Sequence, residues 1–240
     1  MKVPSTKVQN NFGKYLKYVE VNEEIIVTKK GRDVARIVPC NDPYSLVKEE
    51  AAEYRTGEGW VTYEEFLELV EASEQRFELI DGVIYNLAAP NYDHQYAVHE
   101  IHGTFYIWFK NKKCVPLTSP FEVTFFKSED NICVVQPDII VVCDSDEMDK
   151  KGKYKGTPTL VVEVLSISTR SKDMLKKLDL YKQCGVKEYW MVDPKNKMVH
   201  TYVLEKNDIV DNMTFGTSSH EYVESASFEG LKVALKDIFL

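Results

Sequence analysis

Two acids interrupt runs that are otherwise apolar. Asp138 lies in Val134-Val135-Gln136-Pro137-Asp138-Ile139-Ile140-Val141-Val142, and Glu163 lies in Leu160-Val161-Val162-Glu163-Val164-Leu165. Runs of this kind read as strands buried on both faces. A carboxylate there is costly unless a cation or a metal meets it. The two acids are therefore expected to share one site, and an oxygen-rich pair suits Mg2+ or Mn2+. The next helix offers an ammonium. Asp173, Lys177 and Tyr181 are spaced i, i+4, i+8 along one side, next to an apolar side of Met174, Leu178 and Tyr181. That puts Lys177 at the core-facing edge, its stem packed and its charge within reach of the acids. Residues 170–187 carry Arg170, Lys172, Lys176, Lys177, Lys182 and Lys187 against Asp173 and Asp179. A positive patch beside a carboxylate–metal site is where a phosphate backbone would be received.

Other chemistry-bearing groups are weaker. His94, His99, Glu100 and His102 cluster in sequence, but the spacing is not His-Glu-x-x-His. They read as hydrogen-bonded structural histidines, with His94 continuing the Val98 stripe inward so that it could line the site. No Gly-rich phosphate loop and no Gly-x-Ser-x-Gly elbow occurs, so nucleotide-hydrolase and serine-hydrolase readings have no support. The aromatic residues mostly follow core stripes and read as packing.

The chain has 240 residues, with 30 Lys+Arg against 38 Asp+Glu, a net charge of −8. This balance excludes disordered, collagen-like and coiled-coil classes, and it argues against a long non-specific grip on nucleic acid. The charge is uneven. Residues 1–45 hold 8 basic and 5 acidic side chains, and residues 46–240 hold 22 and 33. That asymmetry points to two modules with different partners. The five cysteines form no Cys-x-x-Cys pair and are expected to be reduced thiols. With no signal-peptide pattern at Met1–Lys7 and no membrane-length apolar run, the expectation is a soluble, cytoplasmic protein without membrane contact.

The elements that must position these groups can be read from local pattern. In the first forty residues, Ser5 or Thr6 is expected to cap a helix with Phe12, Tyr15, Leu16 and Val19 as its apolar stripe. Glu24–Thr28 and Asp33–Val38 read as strands around the basic turn Lys29-Lys30-Gly31-Arg32. So small a unit must lean on a partner copy or on the rest of the chain. Asn41-Asp42-Pro43 breaks the pattern, a short charged helix is expected over 45–54, and Thr56–Gly59 reads as a link. The predicted division is 1–42, linker 43–60, and 61–240. In the large domain, Thr62 and Glu65 form a capping box. Asp81-Gly82 turns a hairpin. His94–Phe109 is a helix with Val98, Ile101, Phe105 and Trp108 as its stripe. Strands are expected near 121–126, 132–143, 159–166, 188–192, 198–205 and 220–224, and a helix over 173–184 ends at Gly185. The fold class is α/β, a mixed sheet flanked by helices, plus a small α+β N-terminal module.

Val3 to Pro39 resembles the N-terminal region of the Phd/YefM antitoxins. The resemblance rests on the Ser-Thr start, Asn11-Phe12, Glu23-Glu24-Ile25-Ile26-Val27-Thr28, Gly31 and Val34-Ala35-Arg36-Ile37-Val38-Pro39. It implies a module that dimerises and binds DNA, with Lys29, Lys30 and Arg32 as candidate DNA contacts. Gln9 stands where the family often has arginine, and the family's toxin-neutralising tail is replaced by a large domain. A toxin-antitoxin-type partner stays open.

The rest is similar to the Uma-two family of restriction-type endonucleases in the PD-(D/E)XK superfamily, with a restriction-endonuclease-like mixed sheet. The carriers are Phe77-Glu78-Leu79-Ile80-Asp81-Gly82, Gln136-Pro137-Asp138-Ile139, Val162-Glu163-Val164-Leu165-Ser166, and Lys177…Tyr181…Gly185…Glu188-Tyr189-Trp190-Met191-Val192-Asp193-Pro194. The resemblance implies that Asp138 and Glu163 are catalytic and hold Mg2+ or Mn2+. Leu165 stands where the usual lysine would be, and Lys177 takes that role from the following helix. Glu78 is a further catalytic or ligand candidate. Tyr181, Gln136 and His94 are expected around these groups. The implied activity is metal-dependent hydrolysis of DNA phosphodiester bonds by a homodimeric endonuclease. The alternative is a non-enzymatic, antitoxin-like DNA-binding regulator on a degenerate nuclease fold.

Overall fold

The computed structural model describes residues 1–21, 23–39, 60–150, 152–166 and 172–240, apart from the side chains of 145 and 172–174. The expected helix over 45–54 and the link over 56–59 lie outside the described residues. By their contacts, the residues form two compact units. One is Met1–Ala88 with Ser128–Cys133, and the other is Ala89–Lys127 with Val134–Leu240.

The first unit begins with β1 (Lys2–Pro4), α1 (Ser5–Asn10), α2 (Phe12–Glu20), β2 (Ile25–Lys29) and β3 (Arg32–Ile37). The sheet order is β1-β2-β3, with β1 parallel and β3 antiparallel to β2. Lys30 and Gly31 both take positive φ, 52° and 76°, as a two-residue hairpin turn requires. Two expectations change here. Ser5 and Thr6 lie inside α1 rather than capping it, and the helix breaks at Asn11, so α2 starts anew. The buried face of α2 is Tyr15, Tyr18 and Val19, whereas Phe12 and Leu16 are exposed. Next come α3 (Tyr63–Ala72), β4 (Phe77–Ile80) and β5 (Val83–Asn86). The Thr62–Glu65 capping box forms with both of its bonds. Asp81 and Gly82 turn the β4–β5 hairpin at φ 49° and 71°. The N-terminal elements lean on α3 and on residues beside it. Tyr18 donates to the Glu65 carbonyl at 2.7 Å, Ser73 donates to the Glu23 carboxylate at 2.6 Å, and Asn86 donates to the Val21 carbonyl at 3.1 Å.

The second unit opens with α4 (Tyr92–Phe109), which starts two residues before His94 because the Asn91 side chain caps it by accepting from the His94 N–H. Then come β6 (Val115–Thr118), β7 (Val123–Phe126), β8 (Ile132–Val135), within which the chain passes between units, β9 (Ile139–Val142) and β10 (Leu160–Val164). After α5 (Lys172–Gln183) the chain forms β11 (Glu188–Asp193), β12 (Met198–Glu205), β13 (Asp208–Gly216), β14 (Tyr222–Glu224), β15 (Lys232–Ala234) and α6 (Leu235–Ile238). The main sheet has the order β13-β12-β11-β10-β9-β6. Only β10 and β11 are parallel, joined through α5, and the other neighbours are antiparallel.

Strand alternation divides the side chains of this sheet. Leu160, Val162 and Val164 of β10, Ile139 and Val141 of β9, and Trp190 and Val192 of β11 join one apolar core with Ala97, Ile101 and Phe105 of α4 and with Leu235 and Ile238 of α6. Glu163 falls on the opposite face, toward α5. At the end of α5, Gly185 takes φ 81° and the Val186 N–H reaches back to the Tyr181 carbonyl at 3.1 Å. This Schellman-type end fixes where Tyr181 sits.

Two further expectations are corrected. The run 132–143 is two strands rather than one, because Pro137 has no N–H to give a ladder. Asp138 therefore sits on the bend that opens β9, not inside a strand. The reduced-thiol expectation fails for Cys114 and Cys143, which form a disulfide across a sequence separation of 29. Its cause is register. Val115 pairs with Val142, so the next position outward faces Cys114 with Cys143. Cys133 and Cys184 remain thiols. No described helix is long and apolar enough to cross a membrane.

Candidate active site

The antiparallel register of β9 and β10 brings the two acids together. Leu160 pairs with Val141, Val161 with Ile140, and Val162 with Ile139. The ladder ends there, and the bend that follows puts the Asp138 carboxylate on the N–H of Val164, the residue after Glu163 in β10, at 2.8 Å. Glu163 is buried in β10. Its Oε1 accepts from the Lys177 ammonium at 3.0 Å and from the Tyr181 hydroxyl at 2.5 Å. Lys177 and Tyr181 are one helical turn apart on α5, so one face of that helix addresses one carboxylate oxygen.

Asp138 is anchored differently. Its carbonyl accepts from the Ser119 N–H at 3.1 Å, which ties the bend to the end of β6. Its Oδ2 accepts from the Val164 N–H at 2.8 Å and lies 3.2 Å from His94 Nε2. His94, in the first turn of α4, is buried. Burial alone would lower its imidazole pKa. The hydrogen bond and charge of Asp138, with the charge of Glu163 behind, outweigh burial and move it above the ordinary value. Under the acids lies an aromatic floor. The Tyr181 and Tyr189 rings are 5.2 Å apart, and Tyr189 stacks on Tyr202 at 5.8 Å. Burial, then the charge of Glu163, holds the Tyr189 phenol well above its usual pKa, so it stays neutral.

Among the described residues, no three His, Cys, Asp or Glu side chains gather as a metal-binding group. The acids are a pair. A pair fits Mg2+, which keeps several waters and takes one or two carboxylates. The hydrogen bonds to Asp138 both go to Oδ2, so among the described residues Oδ1 is left for a cation.

The structure thus gathers Asp138, Glu163, Lys177, Tyr181 and His94. Gln136 is half-buried in the link between β8 and β9. Glu78 is buried on β4 in the first unit, opposite Tyr85. Lys29, Lys30 and Arg32 are exposed around the β2–β3 turn of that unit. The side chain of Asp173 lies outside the described residues. Sequence reasoning missed the Val164 N–H as a partner of Asp138. A main-chain donor leaves no signal in residue identity.

A mixed sheet with helices on both faces, and the two acids beside its neighbouring strands β9 and β10, defines an α/β fold. In line with this, the structure resembles that of a "putative nuclease belonging to DUF820" from Anabaena variabilis, with a TM-score of 0.59, 22% identity, and coverage of 74% of this chain and 97% of that one. Residues 63–236 match the family Uma2, described as "Putative restriction endonuclease", and the chain belongs to that family. Residues 1–55 match the family described as "Antitoxin Phd_YefM, type II toxin-antitoxin system". A relative from Synechocystis sp., "Uncharacterized protein slr1290", is 27% identical over 177 residues, which are 73% of this chain and 90% of that protein. Restriction-endonuclease-like proteins generally use divalent metal ions.

Proposed function

We propose that this protein is a DNA endonuclease that hydrolyses phosphodiester bonds with Mg2+ or Mn2+ held by Asp138 and Glu163. One observation carries the reading: the Asp138 carboxylate is bonded to the β10 residue next to Glu163, and Glu163 carries an ammonium. A bound divalent cation would lower the pKa of a coordinated water and stabilise charge on the phosphoryl oxygens. The chain's own groups do the remaining work. Asp138 is held at its main-chain carbonyl by Ser119 and at its carboxylate by Val164. Glu163 is oriented by Tyr181. Lys177 brings a positive charge to the reacting phosphate, where it positions the attacking water and offsets the negative charge that develops. Glu78 enters the reading only through the family pattern.

The N-terminal module, residues 1–42, is proposed to pair two copies of the chain and to place them on DNA, with Lys29, Lys30 and Arg32 on the phosphates. The exposed Phe12 and Leu16 of α2 support a partner surface there. Paired chains would carry two sites, enough to cut both strands.

The test is cleavage of plasmid DNA by purified protein with Mg2+ or Mn2+, with Asp138→Ala as control. Metal-dependent nicking or linearisation that the variant lacks is expected. Wild type and variant equally inert over many DNA substrates, with salt-dependent duplex binding retained, would favour a non-enzymatic DNA-binding regulator instead.

A further inference from the structure

We infer that His94 is a positioning residue for Asp138, fixing which carboxylate oxygen is presented to the cation. The inference rests on the metal-site reading above and extends it to a residue outside the acid pair and its lysine.

The argument begins with an unsatisfied atom. His94 is 8% exposed, and its Nδ1 is buried without a hydrogen-bond partner among the described residues. A buried polar atom left unpaired costs about 1–3 kcal/mol. A leucine or phenylalanine would fill the space without that cost. What the imidazole adds is its other nitrogen, Nε2, 3.2 Å from Asp138 Oδ2. With Asp138 ionised, Nε2 carries a proton and donates to Oδ2.

Geometry gives the consequence. The Val164 N–H alone would hold Oδ2 at 2.8 Å but leave the carboxylate free to turn about that contact. A second donor from α4 fixes its plane. The two donors come from different elements: one is the β10 backbone beside Glu163, and the other is the first turn of α4, locked by the Asn91 cap. The orientation of Asp138 is thereby tied both to the strand that carries the second acid and to the helix over the core. Outer partners of metal-binding carboxylates typically change metal affinity by about 10–100-fold when removed.

The experiment is calorimetric titration of the full chain with Mn2+ alone, comparing wild type, His94→Phe, His94→Gln and Asp138→Asn. The melting temperature of each metal-free protein is recorded alongside. His94→Phe keeps ring volume without a donor, and the His94→Gln amide keeps a donor near the position of Nε2. The expected result is an Mn2+ Kd raised about 10–100-fold by His94→Phe and restored to near wild type by His94→Gln. Wild-type affinity in His94→Phe overturns the inference. So does a loss of equal size in His94→Gln, since the hydrogen bond is then not what matters. If Asp138→Asn leaves Mn2+ binding unchanged, the metal reading falls and the positioning role with it. If Asp138→Asn abolishes binding while His94→Phe does not weaken it, only the positioning role falls. Should His94→Phe not fold, His94→Leu carries the same comparison.

Discussion

The Asp138 carboxylate accepts from the N–H of Val164, the residue that follows Glu163 in β10, at 2.8 Å, which sets the two acids beside each other. Two carboxylates so placed repel each other, and each is offset by its own partners. Lys177 and Tyr181 meet Glu163, and the Val164 N–H and His94 meet Asp138. The partners of Glu163 come from α5, and those of Asp138 from the β10 backbone and from α4. A divalent cation would satisfy both acids at once.

Replacing Lys177 should separate catalysis from binding. Lys177→Ala is expected to slow single-turnover DNA cleavage about 10²–10³-fold, the usual effect of losing one preorganised charge-stabilising group. Mn2+ affinity should hold or tighten, because an ammonium 3.0 Å from Glu163 Oε1 competes with the metal. Cleavage at the wild-type rate would remove Lys177 from the site.

Tyr181 reports on Glu163 through stability. Its hydroxyl donates to Oε1 in a fully buried setting. Tyr181→Phe should lower unfolding free energy in urea by about 1.5–3 kcal/mol, the range for a hydrogen bond to a charged group. Activity should fall less than for Lys177→Ala, since the ammonium remains on the same oxygen.

Much of this was legible in the sequence, and the legible part was local. Asp81-Gly82, the Thr62–Glu65 capping box and Gly185 each specify a backbone conformation within four residues, and each formed as read. The acids stood out because carboxylates are rare in apolar runs, and helical spacing then pointed to Lys177 and Tyr181. What was lost depended on distant partners or weak pattern. β13 is exposed from Asp208 to Thr214, so it carries no alternating signal. The link between Cys114 and Cys143 is set by strand register, which spacing alone does not reveal. The acid-in-strand signal is also ambiguous by itself, as Glu188 demonstrates.

Glu188 is fully buried at the start of β11, yet it meets no cation among the described residues. Its oxygens accept from Trp190 Nε1 at 2.6 Å, the Ser225 hydroxyl at 2.7 Å, and the N–H groups of Ala226 and Ser227 at 3.0 and 2.8 Å. It is a structural knot holding the loop after β14. Glu188→Gln turns one acceptor into a donor facing these donors. A loss of about 2–6 kcal/mol in urea unfolding is expected, since two donors meet each oxygen and each buried donor left unpaired costs about 1–3 kcal/mol. Metal-dependent activity of the folded fraction should persist.

The Cys114–Cys143 disulfide closes a loop with a sequence separation of 29. In the chain-entropy picture, a loop of that length contributes about 3–4 kcal/mol of stability. Reduction with dithiothreitol should lower the urea midpoint correspondingly, and Cys143→Ser should abolish the difference between reduced and oxidised samples. An unchanged midpoint would mean that the bridge adds nothing to stability.

Anomalous diffraction from crystals soaked in Mn2+ tests the central claim most directly. The account expects an Mn2+ peak between Asp138 and Glu163, at about 2.0–2.3 Å from an oxygen of each, and no peak there in Glu163→Gln crystals. A wild-type site that stays empty at millimolar Mn2+, or a peak bound elsewhere without these two acids, would contradict it.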